Sequence, residues 1–120
     1  MSAFLWRGVP VFEIRTAAGG ASDMLVRNGL LGRALAQTVG DKAAALMRGH
    51  GAVVVGPSLP EAVRRSVYLE MNARLQWQAM NLSGDKVTYL DDEEAKRAEA
   101  NDAVITSRAW ELWKRKALAR

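Results

Sequence analysis

The stretch that decides the fold is Arg48-Gly49-His50-Gly51-Ala52-Val53-Val54-Val55-Gly56. It holds the chain's only histidine, set between two glycines and followed by a branched apolar run. The glycines leave room around the ring and allow backbone conformations closed to other residues. The valines read as a buried strand. Ala43 to Met47 reads as a short central strand before it, so Ala52 to Val55 is either its continuation past a bulge or its hairpin partner. An imidazole at a strand edge can bind a metal or move protons near neutral pH. A single histidine in a chain without cysteine cannot complete an ordinary zinc site.

Short strands and helices alternate outward from this stretch, which argues for an α/β layer architecture. Val9 to Ile14 reads as a strand with Pro10 near its start, and Thr16 to Gly20 as a turn. Ser22 is an expected N-cap, giving a helix from about Met24 to Val39 closed by Gly40, with Gly29 and Gly32 suited to close packing. After the valines, Gly56-Pro57 turns the chain. Ser58-Leu59-Pro60-Glu61 fits a capping box opening a helix that runs to Met80. Helical spacing puts Leu59, Ala62, Val63, Ser66, Ala73 and Trp77 on one face, with Glu70 in its middle. Leu82 to Lys86 is a turn and Val87 to Leu90 a brief extended segment. Asp91-Asp92-Glu93-Glu94 opens a last helix, surface-lying up to Asp102, whose Trp110 and Trp113 suggest docking, for instance onto another subunit.

The 120 residues suffice for one domain and one modest core. Apolar residues at 49% and charged residues at 25% are ordinary for a globular protein. The absence of cysteine excludes disulfides and thiol catalysis. The net charge of +4 owes much to Lys114, Arg115, Lys116 and Arg120, and cations in the last turns of a helix complement its dipole. Aromatics and lysines are not interleaved as in a single-strand binder, so no nucleic-acid partner is expected. No apolar run approaches the roughly 20 residues that span a bilayer, and no secretory signal stands out. The expectation is a cytoplasmic protein without a membrane partner.

Standard catalytic arrangements are missing: there is no nucleophile elbow, P-loop, dinucleotide fingerprint or H-E-x-x-H. His50 and Glu70 remain as candidates. A carboxylate centred on an apolar helix face must be paired or neutralised. Glu70 either orients His50 through its second ring nitrogen or binds Arg48, Arg74 or backbone amides, and the second use is the commoner one. The acidic run Asp91 to Glu94 reads as a solvated helix start rather than a cation site.

Around the histidine stretch the chain resembles the class II aldolase/adducin domain family. The similarity extends to Phe4-Leu5 with Gly8 to Ile14, to Asp23-Met24-Leu25-Val26 and Gly32 to Ala36, and to Ser58 to Val63 with Tyr68 to Ala73. This resemblance implies an α/β fold, a three-layer α/β/α class II aldolase-like domain that is incomplete at its N-terminal side, with residues 1–120 as one partial domain. It further implies a divalent metal, zinc above all, held by three histidines, of which His50 matches the third. The His-x-His pair and the acid/base residue of the family's first half have no counterpart here. The function implied is a metal-dependent carbon–carbon lyase, aldolase or decarboxylase, acting on a hydroxylated carboxylate or sugar phosphate. Within it, the decarboxylase-like bacterial branch is the nearest in wording. The remaining ligands would be supplied from outside this chain, and the partners implied are a small-molecule substrate and either further copies in a homo-oligomer or a complementing chain. The alternative is a non-catalytic, adducin-like assembly module or a truncated remnant. Without the first-half strands, an uncovered sheet edge and apolar face predict self-association or a complementing partner.

Overall fold

The computed structural model describes residues 2–119, apart from the side chains at 85 and 102–104. Arg120 of the basic end therefore lies outside the described residues. The fold is α/β, as the sequence implies, and the described residues divide into two compact units. One runs from Arg7 to Val55; the other joins the residues through Trp6 to those from Gly56 onward.

The Arg7–Val55 unit is a small mixed sheet with helices. Strand β1 (Val11–Phe12) is much shorter than the alternation of Val9 to Ile14 suggested. The cause is Glu13, whose carboxylate accepts the backbone N–H of Arg15 and so caps helix α1 (Ile14–Ala18). Glutamate is a poor cap by statistics, which is why Ile14 to Ala18 reads as strand end and turn rather than helix. Gly19, with φ +75°, ends α1 in the left-handed conformation usual for a helix terminus.

Helix α2 (Gly29–Val39) starts five residues later than Ser22 suggested. Asn28 is its cap, accepting the N–H of Leu31 at 2.9 Å. Ser22 and Asp23 do use their oxygens on backbone N–H groups, those of Met24 and Leu25, but two residues ahead, which makes a turn and not a helix start. The expectation of close packing fails at Gly32, where an added Cβ would meet nothing within 4 Å. Buried Phe12, Ile14 and Leu31 form the core of this unit, flanked by Ala17, Met24, Val26, Ala34, Leu35 and Met47. Burying a side chain such as Leu31 is worth roughly 1.5–3 kcal/mol.

Strands β2 (Ala44–Met47) and β3 (Gly51–Val54) resolve the open choice between bulge and hairpin. They are antiparallel, with Ala44 opposite Val54 and Met47 opposite Gly51. The central strand β2 also pairs parallel to β1, Val11 opposite Leu46. The N–H groups of Leu46 and Arg48 donate to Pro10 and Phe12 at 2.8 and 3.2 Å. Pro10 is tolerated because β1 lies at an edge of the sheet and only its carbonyl is used.

The second unit is helical. Helix α3 (Leu59–Ser83) begins where Ser58 was expected to cap it, the Ser58 hydroxyl accepting the Glu61 N–H at 3.3 Å. Pro60 sits in its first turn, where a missing N–H costs little. Gly56 just before it is required by space: a Cβ there would lie 2.8 Å from the Ala62 nitrogen. The buried face of α3 is not the expected apolar one. Leu59 and Trp77 are each 67% exposed, and Ser66 and Ala73 are exposed as well. Glu61 and Arg64 are the residues turned inward. Helical periodicity shows that a face exists, but a hydrogen-bonded ion pair can be buried in preference to a leucine.

The acidic run opens helix α4 (Asp92–Ala100) with a full capping box: the Asp91 carboxylate takes the Glu94 N–H and the Glu94 carboxylate takes the Asp91 N–H. The expected single last helix is broken at Asn101, after which α5 (Asp102–Leu118) begins. Nor does α4 simply lie on the surface. Ala95 is buried, and the Trp6 indole N–H donates to Glu99 at 2.8 Å beside a 3-10 turn at Ala3–Leu5. Among the described residues Val87 to Leu90 pairs with no strand, and Trp110 and Trp113 are half-buried. Among the described residues no helix is long and apolar enough to cross a membrane.

Candidate functional site

His50 lies in the three-residue turn, Arg48 to His50, that joins β2 to β3. Its backbone N–H donates to the Met47 carbonyl at 3.0 Å, closing the turn, and its side chain is exposed. Gly49 has φ +66° and Gly51 φ +143°, so both flanking glycines are needed for their backbone. The turn follows the carboxyl end of β2, where that strand runs parallel to β1. In open sheets, parallel strands commonly present ligand sites at that end.

Three charged groups brace the turn. Arg48 reaches the Glu13 carboxylate at 2.6 Å, and Arg15 reaches the same carboxylate through Nε and Nη2 at 3.0 and 2.6 Å. The Glu13 carboxyl is held down from 4.5 to about 2, first by the Arg15 guanidinium, then by the Arg15 backbone N–H and by Arg48. It is therefore an anion at any physiological pH and is committed to two arginines. Neither Glu13 nor Arg15 was a candidate from sequence. The nearest available signal was an acid two residues before an arginine at a strand end.

The other candidate belongs to the other unit. Glu70 belongs to the helical unit, where its side chain is largely exposed and pairs with Arg74 at 3.3 Å. The Arg74 partner was one of those considered, but the buried apolar setting that recommended Glu70 does not exist. The buried carboxylate of α3 is Glu61. It accepts from Arg64 at 2.7 and 3.2 Å, from Arg65 at 2.9 Å and from the Thr106 hydroxyl at 2.6 Å. Arg64 also lies over the Phe4 and Tyr68 rings, at 5.2 and 5.9 Å from their centroids. Glu61 was read from sequence as the second half of a capping box. Its side chain instead bonds α3 to α5 through Thr106.

These residues do not amount to a metal centre. Among the described residues, no group of three or more His, Cys, Asp or Glu side chains could hold a metal ion. The carboxylate braced beside the His50 turn is already taken by two guanidinium groups. A metal needing three protein ligands finds at most one here.

Comparison with known proteins bears on the same region. The family model described as "Class II Aldolase and Adducin N-terminal domain" matches residues 4–77. That range takes in the sheet, the His50 turn and most of α3. Over 134 aligned positions the chain is 33% identical to decarboxylase tropJ of Talaromyces stipitatus, covering 96% of this chain and 50% of that protein. It is 30% identical to a 3,4-dihydroxyphthalate decarboxylase of Arthrobacter keyseri, covering 85% of this chain and 44% of that protein. The chain thus spans about half the length of the curated relatives it matches.

Proposed function

Because the chain belongs to the class II aldolase and adducin family, we propose that it forms part of a carbon–carbon lyase of the decarboxylase type. Its substrate class is a hydroxylated carboxylate, and its place of work is the cytoplasm. The similarity to two decarboxylases, one of them named for a dihydroxylated aromatic diacid, favours this over a sugar-phosphate aldolase. The observation that carries the reading is the placement of His50: a lone imidazole, solvent-facing, on a turn held by two glycines at the end of a parallel strand pair. His50 supplies one ligand to a divalent metal, zinc by preference, and the other ligands come from residues outside these 120. No reaction step follows from this chain's residues alone, since a single imidazole binds zinc weakly.

The test is complementation. The purified chain is mixed with a partner polypeptide that carries a His-x-His pair and an acid, and bound zinc is measured by mass spectrometry. Release of carbon dioxide from a dihydroxylated aromatic carboxylate is followed in parallel. The reading expects stoichiometric zinc and activity from the mixture, and loss of both with His50→Ala. Full zinc binding by the His50→Ala mixture would sink it.

A second reading, a non-catalytic assembly module, is favoured by the apolar side chains that α3 leaves in solvent. Leu75, Trp77, Met80 and Leu82 are each more than half exposed. An exposed run of that kind marks contact surface. Sedimentation of the chain separates the two: the module reading requires a concentration-dependent oligomer that His50→Ala leaves intact and that takes up no zinc.

A further inference from the structure

We infer that Met24 is a positioning residue for His50, fixing the direction of the imidazole by holding the turn on either side of it. The inference rests on the reading of His50 as the functional group. Met24 is the only non-glycine among the described residues with a positive φ, +68°. Left-handed backbone is costly for a residue with a Cβ and free for glycine. The local chain insists on it: the Ser22 hydroxyl takes the Met24 N–H and Asp23 takes the Leu25 N–H, both at 3.1 Å. At a position whose backbone suits glycine, the sequence nevertheless keeps a long side chain.

The contacts of that side chain give it a use there. The Met24 sulfur faces Arg48 Nη2 at 3.7 Å. Its terminal methyl lies 3.4 Å from where a Cβ on Gly49 would stand. The same side chain packs on the core formed by Phe12, Ile14 and Leu31. Met24 therefore joins the core of the unit to the two residues that precede His50. A second hold comes from below, where Arg48 pairs with Glu13 and its N–H donates to the Phe12 carbonyl. The imidazole itself is exposed, and Met24 bears on it through residues 48 and 49. A metal–ligand bond is directional, and ligands are held in place by the groups behind them.

His50 is the sole histidine, so its ring gives one unambiguous pair of NMR signals. In the wild-type chain we expect an amide heteronuclear NOE at His50 as high as in Ala44–Met47. A cross-peak between the Met24 ε-methyl and the Gly49 α-protons is also expected. In Met24→Gly the backbone keeps its preferred conformation but the side chain is gone. The His50 NOE should then fall to loop values and its ring shifts move to random-coil positions, while cross-strand contacts between β2 and β3 persist. Met24→Leu, which keeps the bulk, should restore the ordered signals. A residue that merely fills core space would lower the melting temperature and leave the His50 signals in place. His50 signals in Met24→Gly that overlay the wild type overturn the proposal. Absence of the Met24–Gly49 cross-peak in the wild type overturns it without any variant. These spectra are recorded without metal. A zinc chloride titration that left the His50 ring unmoved would instead count against the ligand reading, with the role of Met24 decided separately.

Discussion

Glu13 and Glu61 are built alike. Each is a carboxylate gripped by two arginines, Arg15 and Arg48 in one case, Arg64 and Arg65 in the other. Each is pulled down from 4.5 to about 2, with an arginine side chain as the largest cause. They differ in their access to water. Arg15, Glu13 and Arg48 are 56%, 31% and 41% exposed, whereas Arg64 is sealed off and Glu61 is 11% exposed. Solvent screens the first cluster, so it sets geometry with little effect on stability. The second has lost its water and must keep every partner, so it determines whether the helices stay together. Titration alone would rank the two as equals; exposure tells the brace from the keystone.

The contrast is broken most forcefully at Arg64. Arg64→Ala should cost about 3–5 kcal/mol in denaturant unfolding, because it strands a buried carboxylate. A loss no greater than that of an exposed arginine such as Arg15→Ala would show that Glu61 is better hydrated than its burial implies. Acid is the next lever. The folded-state value of Glu61 is depressed, so its stabilisation is complete above about 4.5 and drains away as pH falls towards 2. Melting temperature followed from pH 7 to 2.5 should drop across that window, and Glu61→Gln should flatten the drop. At Glu13 the same substitution should leave the melting temperature nearly unchanged, and what change there is should vanish in high salt. Smallest of all, His50→Ala should alter unfolding stability by no more than about 0.5 kcal/mol, as for other exposed side chains. A larger loss would make the turn histidine structural.

The two clusters also mark how far the sequence could be read. The hairpin strands, the Ser58 start of α3 and the acidic start of α4 were legible because they depend on local chemistry: glycine punctuation, caps and branched residues. The burial of the valines was not, since β3 is exposed or half-buried along its length. The family was legible by resemblance. The later start of α2 was not, because Ser22 and Asp23 have the residue types of a cap and spend them on a turn. Glu13 as a cap was hidden by its residue type. The inward face of α3 was misread because Leu59 and Trp77 look like core, while Glu61, Arg64 and Thr106 acquire their meaning from partners up to 45 positions away. His50 stands out in the sequence because its signal, a lone histidine between two glycines, is entirely local.

The central strand β2 has two neighbours that differ in kind. Its antiparallel partner β3 is reached through three turn residues, while its parallel partner β1 lies beyond α1 and α2. Loop closure is fast and cheap for the first and slow for the second, with hairpins forming in roughly 1–10 µs. On that ground the histidine-bearing turn is expected to assemble before β1 joins it. Transition-state Φ-values should accordingly be higher at Ala45 and Val53 than at Phe12. Gly49 and Gly51 then act on the speed of folding as well as on its end point, since they permit the encounter from which the rest of the sheet grows.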